Sequence, residues 1–395
     1  MSQRKKISIF GSTGSIGKNA IEVLQNNPEA YEVIALAANN DFQTLINQCK
    51  LVKPHYAIIK NQNFYPQVLE ALKDYKEITV LSGENCVNEI AQIKCDLFLS
   101  AIVGIAALQP TINAIKSGSN IGLANKECLV AAGEIMLKEA KKNGVKLLPI
   151  DSEHNAIFQI FENENLGLIE NITLTASGGP FFRTDLKDMK NITKEQAINH
   201  PKWSMGQKIS VDSATMMNKA LEMIEAYRLF PVKKEQIKVV IHPEHIIHGM
   251  VNYQDGSTLA MMSIPDMKVP ISYAIGYPKR IKIAHQKLDL AKVGSLNFYE
   301  ADEEKFAALK LARKVLEIGG NAACILNAAN EIAVERFLND EIAFMDIVKI
   351  NMEVLEKIPY SEINSLEDVF QYDARSRNLA KTLFKSTSNF QLKSA

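Results

Sequence analysis

Two carboxylates separated by a single residue, Asp151 and Glu153, stand in the stretch Pro149-Ile150-Asp151-Ser152-Glu153-His154-Asn155. On an extended backbone both would point to the same side. Carboxylates aimed together repel each other unless a cation lies between them, and an all-oxygen ligand set suits Mg2+ or Mn2+. The plain alternative is a solvated acidic loop. A third acid occurs in Val211-Asp212-Ser213-Ala214-Thr215-Met216-Met217-Asn218-Lys219-Ala220-Leu221-Glu222. This run reads as a helix beginning near Ser213, with the Ser213 hydroxyl as its cap. Asn218, Lys219 and Glu222 then share one face at spacings of three and four. Alone, Lys219 and Glu222 would be only a surface pair, contributing about 0–1 kcal/mol.

Other stretches could hold anions or cofactors. Gly11-Ser12-Thr13-Gly14-Ser15-Ile16-Gly17 follows a short apolar run and opens a helical one. Strand, glycine turn and helix together make a cradle for a dinucleotide pyrophosphate, although the spacing is G-x-x-G-x-x-G, a variant of the usual fingerprint. Ser177-Gly178-Gly179-Pro180-Phe181 forbids regular structure and gathers backbone N–H groups, as an anion site or a tight turn would. His200-Pro201-Lys202-Trp203-Ser204-Met205-Gly206 sets the only tryptophan in a loop, where a ligand or its own domain must cover it. His242, His245 and His248 compete as a zinc site. Pro243 and the flanking Val and Ile residues favour a kinked strand there, in which residues three apart face opposite sides.

The elements that must position these groups alternate. Strands are predicted at Ile7–Phe10, Tyr31–Ala38, Tyr56–Ile59, Glu77–Leu81, Leu97–Val103, Asn120–Leu123 and Val145–Leu148, separated by helical patterns such as Phe64–Lys73. That alternation predicts an α/β fold with an N-terminal Rossmann-like, doubly wound parallel sheet. Leu123-Ala124-Asn125-Lys126-Glu127 ends one such strand, where side chains face the ligand crevice. A helix is expected over Asn155–Glu162 and a strand over Ile172–Ala176, giving a central α+β domain. Helices over Phe306–Ile318, Ala322–Leu338, Phe344–Lys357 and Ser365–Phe384 predict a small C-terminal helical bundle, followed by a frayed tail. The expected divisions are 1–150, 151–277, a linker at 278–302, and 303–395.

Composition narrows the function classes. The chain has 395 residues with 45 basic and 45 acidic side chains, so no overall field favours nucleic acid or a membrane surface. Five scattered cysteines without a Cys-x-x-Cys pair predict reduced thiols in a cytoplasmic setting. The basic cluster Arg4-Lys5-Lys6 precedes too short an apolar run for a signal core, and no run is long enough to span a bilayer.

Taken in order, the glycine turn, Leu123–Glu127, Pro149–Asn155, Ser177–Phe181, His200–Gly206, Ser210–Glu222 and Leu326-Asn327-Ala328-Ala329-Asn330-Glu331 resemble the 1-deoxy-D-xylulose 5-phosphate reductoisomerase family. The resemblance runs from Ile7 into the C-terminal helices. It implies an NADPH-dependent oxidoreductase that rearranges a sugar phosphate with a divalent metal and reduces the product to 2-C-methyl-D-erythritol 4-phosphate. That reaction serves isoprenoid precursor synthesis. It also implies a homodimer. Asp151, Glu153 and Glu222 match the family's metal ligands, and Lys126 matches a catalytic substrate contact. Ser177, Ser213, Asn218 and Lys219 match its phosphate grip, and Ser152, His200 and the lid residue Trp203 match other substrate contacts. Ser12, Thr13, Gly14, Ser15, Ile16, Asn125, Glu127, Gly206 and Met267 match positions near NADPH. Asn39, Asn40 and Asp41 stand where the adenosine 2′-substituent is read.

One stretch departs from the family, in which Gly-Lys-Asn or a similar set is common after the second strand. Here Asn39-Asn40-Asp41 offers two amides and a carboxylate, and Asp41 would repel a 2′-phosphate unless it caps the helix starting at Phe42. Two other classes share part of the pattern. A metal-free NAD(P)-binding regulator needs the cradle without the three acids. A homoserine-dehydrogenase-like oxidoreductase shares the Rossmann half without the phosphate grip.

Overall fold

The computed structural model describes residues 4–199 and 206–383. Seven parallel strands form one sheet: β1 (Lys5–Phe10), β2 (Tyr31–Ala38), β3 (Tyr56–Ile59), β4 (Thr79–Ser82), β5 (Leu97–Ser100), β6 (Asn120–Leu123) and β7 (Leu147–Pro149). Their order is β4-β3-β2-β1-β5-β6-β7, so the winding reverses beside β1, and the glycine turn leaves the carboxyl end of that strand. Strands covered on both faces need no polar alternation. Accordingly Ile7, Ile9, Ala35, Leu36, Ile58, Ile59, Leu97 and Leu99 are all buried. The expected strand over Leu97–Val103 stops at Ser100, because the chain turns off towards Gly104, which has a positive φ.

A second sheet has the order β11-β10-β8-β9-β12, from β8 (Ile169–Ala176), β9 (Ile237–Ile241), β10 (Ile247–Tyr253), β11 (Thr258–Met262) and β12 (Tyr299–Glu300). Between β9 and β10 the chain does not run on as one kinked strand. Pro243 lacks a ladder donor and His245 takes a left-handed φ of 58°, so the segment breaks into a turn.

The chain divides into two compact units. One takes in the chain up to Thr175, with Glu225–Lys238 and Glu244–Asn297; the other takes in Ala176–Ile224, Val239–Pro243 and the chain from Phe298. In the first, Lys5 Nζ donates to the carbonyls of Ile275 (2.7 Å) and Tyr277 (3.1 Å), closing the end of the Lys268–Gly276 helix. In the second, helices Ala307–Ile318, Ala322–Leu338, Asp346–Lys357 and Leu366–Thr382 form the helical region. Ser365 caps the last through a reciprocal bond with Asp368. A buried polar chain ties that region to the Gln207–Ala214 helix: Asn351 Nδ2 donates to Asn330 (3.1 Å), Asn330 Nδ2 donates to Asp212 (2.7 Å), and Lys208 pairs with Asp212 at 3.1 Å. Arg377 pairs with Asp373 on its own helix (2.6 Å) and with Glu331 on the Ala322–Leu338 helix (2.7 Å).

Cys49, Cys95, Cys128 and Cys324 are buried and Cys86 is partly exposed; all five are free thiols. Burial pushes the Cys49 and Cys324 thiols up to about 12, which removes the thiolate at neutral pH. A disulfide-exchange reagent should therefore titrate Cys86 quickly in the native chain and all five thiols only after denaturation. Rapid modification of more than one native thiol would contradict this burial. No helix among the described residues is long and apolar enough to cross a membrane.

Candidate active site

The glycine turn is built for close approach. Gly11 has φ +91°, and a Cβ there would fall 2.3 Å from the Ala101 carbonyl oxygen; at Gly17 it would fall 2.3 Å from that of Ser12. No other residue fits either place. The helix Ser15–Gln25 begins after Gly14, which offers no side-chain cap, so no N-cap side chain takes up the backbone N–H groups of its first turn. Ser12 is buried, with its carbonyl held by Gln48 Nε2 at 2.7 Å, whereas Thr13, Gly14 and Ser15 line the open side. After β2, Asp41 caps the helix Phe42–Val52, its carboxylate accepting from Thr44 N at 3.0 Å. Asn40 Oδ1 accepts from Asn61 Nδ2 at 2.8 Å, and Asn39 is exposed.

Asn125 caps the Lys126–Asn143 helix by accepting from Cys128 N at 2.7 Å, and its amide nitrogen donates to the carbonyls of Ile102 and Gly104. Its side chain is spent on holding the 102–104 turn against the helix start. Glu127 lies in the helix's first turn, and Met267 precedes the Lys268–Gly276 helix, packed against the sheet core.

Asp151 and Glu153 are not on a strand. Asp151 is the N-cap of the helix Ser152–Ile160, accepting from Glu153 N (3.2 Å) and His154 N (3.5 Å). The extended geometry expected from the alternation fails because Asp-Ser-Glu is also a helix-start pattern, and the cap's hydrogen bonds outweigh the two-residue period. The helix accordingly begins three residues before the expected Asn155. Lys126 Nζ reaches Asp151 Oδ2 at 2.6 Å, with both side chains nearly buried. Ser152 donates to Glu153, which is buried. The ring nitrogen Nδ1 of His154 lies 3.0 Å from Glu225 and 3.6 Å from Asp151.

Ser213 is not the N-cap expected of it. It lies near the end of the helix Gln207–Ala214, which follows Gly206, and a new helix begins at Met217. Met216 has φ 60° and breaks the run that the sequence pattern treats as continuous. In the Met217–Leu229 helix, Asn218 Nδ2 and Lys219 Nζ both donate to Glu222, and Lys219 and Glu222 are buried. That face is therefore a desolvated ion pair, not a solvated one. Ser177 Oγ accepts from Gly179 N at 3.2 Å. Gly179, at φ +65°, packs so closely that a Cβ would lie 2.7 Å from the Ser213 carbonyl oxygen, which joins the Ser177 turn to the end of the Ser213 helix. His200 and Trp203 lie outside the described residues. Of the three competing histidines, His242 stacks on Phe298 (centroids 4.6 Å apart) and His248 bonds Ser263 at 3.0 Å; no metal-capable cluster among the described residues includes them. The residue missed by sequence pattern is Glu225, one turn beyond Glu222 on the same helix, where the spacing of three was the available signal.

Three family models match in succession: 1-deoxy-D-xylulose 5-phosphate reductoisomerase over residues 7–133, its C-terminal domain over 147–230, and the DXP reductoisomerase C-terminal domain over 262–379. The reductoisomerase of Wolbachia pipientis subsp. Culex pipiens is 46% identical over 97% of this chain and 98% of its own length. The chain belongs to the 1-deoxy-D-xylulose 5-phosphate reductoisomerase family. The Buchnera aphidicola reductoisomerase is 45% identical over 97% of this chain and 99% of its own. A solved reductoisomerase from Zymomonas mobilis in complex with NADPH superposes with TM-score 0.93 at 41% identity, covering 98% of this chain and 100% of that one. A DOX-P reductoisomerase solved with NADPH, fosmidomycin and magnesium gives TM-score 0.88 at 41% identity, covering 95% and 97%. These reductoisomerase matches extend through both chains, and nothing in them supports a homoserine-dehydrogenase-like reading.

Proposed function

We propose that this chain converts 1-deoxy-D-xylulose 5-phosphate to 2-C-methyl-D-erythritol 4-phosphate with NADPH and a divalent metal, Mg2+ or Mn2+. The observation that carries this reading is the buried Glu222 face, where two donors converge on one carboxylate on a helix that continues to Glu225. A buried carboxylate with an ammonium beside it costs desolvation and is weak evidence of stability alone. It suits a place where charged ligands arrive. The residues fit both groups. Glu153 and Glu222 are buried carboxylates and Asp151 is nearly so, the oxygen donors that a hard cation takes. Gly17 approaches Ser12 as a pyrophosphate cradle requires.

In this reading Asp151, Glu153 and Glu222 hold the metal, which as a Lewis acid stabilises oxyanion charge during the rearrangement. NADPH supplies hydride, while the chain orients it through Ser12, Thr13, Gly14, Ser15, Ile16 and the turn braced by Asn125, with Glu127, Gly206 and Met267 close by. Lys219, Asn218, Ser177 and Ser213 grip the phosphate, whose binding energy positions the reacting end. Lys126 donates to Asp151 and holds that carboxylate in place. Ser152, His200 and Trp203 complete the substrate contacts, and the segment carrying Trp203 excludes water.

The division of labour proposed is 1–150 for NADPH, 151–277 for catalysis, 278–302 as linker, and 303–395 as the helical domain. The family match that begins at residue 147 supports the first boundary, whereas β12 at Tyr299–Glu300 joins the second sheet and the compact units cut across the later ones. The scattered free thiols support a cytoplasmic setting. A homodimer is supported by β11, an edge strand without a charged residue that exposes Leu259, the kind of edge that another copy covers. Light scattering should return twice the mass of the chain; a monomer would refute the pairing.

NADPH consumption with 1-deoxy-D-xylulose 5-phosphate, lost on chelation and restored by Mg2+ or Mn2+, tests the whole reading. No consumption with metal present overturns it. Cofactor choice is a finer test. With Asp41 turned onto its helix and only amides beside it, the preference for NADPH over NADH should be modest. Asn40→Lys should lower KM for NADPH and leave that for NADH nearly unchanged, since it supplies the missing cation. An unchanged ratio of kcat/KM would place the 2′-phosphate elsewhere.

A further inference from the structure

The Met217–Leu229 helix carries a second buried acid that no catalytic role uses. Glu225 is 1% exposed, and its Oε2 lies 3.0 Å from Nδ1 of His154, which is 0% exposed. Arg228, three residues on, is committed to Glu134 at 2.7 Å and so does not serve Glu225. The same Nδ1 faces Asp151 Oδ1 at 3.6 Å, and the three groups lie within 4.8 Å of one another. The ring therefore stands between a buried carboxylate and the carboxylate that caps its own helix.

We propose that Glu225 is a positioning residue: by holding the His154 ring it fixes the Asp151 carboxylate for metal binding. The inference rests on the reading of Asp151 as a metal ligand. Four contacts among the described residues bear on the Asp151 orientation. Lys126 takes Oδ2 at 2.6 Å, the helix N–H groups of Glu153 and His154 face Oδ1 at 3.2 and 3.5 Å, and the His154 ring closes the third side. Without the Glu225 carboxylate the Nδ1 edge of the ring loses its nearest charged neighbour, and the ring that walls Asp151 Oδ1 is free to shift. Stability alone does not account for the pair. Burying polar groups together is often no better than apolar side chains of equal volume, whereas groups behind a metal ligand orient it and set its affinity.

The test is Mn2+ binding to the NADPH complex, read by the electron paramagnetic resonance of free Mn2+, with NADPH affinity measured in parallel. Glu225→Gln keeps volume and removes charge; it should weaken Mn2+ by about 10–100-fold, the usual cost of losing such a partner, and leave NADPH affinity unchanged. His154→Asn places an amide nitrogen near the position of Nδ1 and should stay close to wild type, whereas His154→Gln places it near Nε2 and should lose affinity as Glu225→Gln does. Wild-type Mn2+ affinity in Glu225→Gln overturns the proposal. If that variant fails to bind NADPH and so has not folded, the two His154 variants decide, and equal affinities overturn it. Asp151→Asn separates the underlying reading: wild-type Mn2+ affinity there refutes Asp151 as a ligand, whereas its loss beside an unaffected Glu225→Gln refutes only the positioning role.

Discussion

Glu222→Gln is expected to lower kcat/KM by about 10²-fold or more, since a metal ligand's share of transition-state stabilisation is several kcal/mol. The substitution keeps volume and shape, so the change is electrostatic. Glu222 is 1% exposed and receives the Asn218 amide and the Lys219 ammonium. With a neutral amide in its place, Lys219 keeps its charge without its buried counterion, a loss that costs about 3–5 kcal/mol when a buried pair is broken. Melting temperature should therefore fall as well. NADPH binding separates the two effects, because the Gly11–Gly17 cradle and the Asp41 cap are set by β1, β2 and their own helices. A variant that binds NADPH as wild type, binds Mn2+ weakly and turns over slowly has lost a ligand. Wild-type turnover with undiminished Mn2+ affinity would remove Glu222 from the metal site.

The parallel sheet was legible because buried strands carry unbroken Val, Ile, Leu and Ala runs bounded by glycine, proline and polar turns, and because helices of matching length separate them. The Asp41 cap was legible for the same local reason: an acid directly before an apolar helix has one inexpensive use. Local ambiguity hid the rest. Asp151-Ser152-Glu153 satisfies both a two-residue alternation and a helix start, and the choice depends on Lys126 and the end of β7, which are remote or adjacent in ways that periodicity does not weigh. The run from Val211 to Glu222 has a continuous helical pattern, and only the left-handed Met216, a non-glycine residue, breaks it. Glu225 has only its spacing of three from Glu222 to mark it, because its neighbour His154 is remote in the sequence and leaves no further local signal. Roles in binding came instead from the whole ordered set of motifs, since no single glycine turn or acidic pair specifies a reaction.

Gly179→Ala should be the most damaging small change to substrate recognition. Gly179 sits at φ +65°, where an alanine costs about 1–2 kcal/mol in backbone strain. Its added Cβ would also lie 2.7 Å from the Ser213 carbonyl oxygen and 3.2 Å from Ala214 Cα. Both are backbone atoms of a helix anchored through Asp212 to Asn330, so neither can yield cheaply. Relief must come from the turn itself, which carries the bond from Gly179 N to Ser177 Oγ. Moving Ser177 and Ser213 apart opens the proposed phosphate grip, and a displacement near 1 Å in a positioning group is worth about 10²-fold. The KM for 1-deoxy-D-xylulose 5-phosphate should rise by that order while NADPH affinity stays put. Gly256→Ala supplies the control. Gly256 also has a positive φ, +85°, but nothing lies within 4 Å of where its Cβ would go. That variant bears backbone strain without the collision and should keep its substrate KM. Equal KM values for both variants would show that the Ser177 turn does not touch the phosphate.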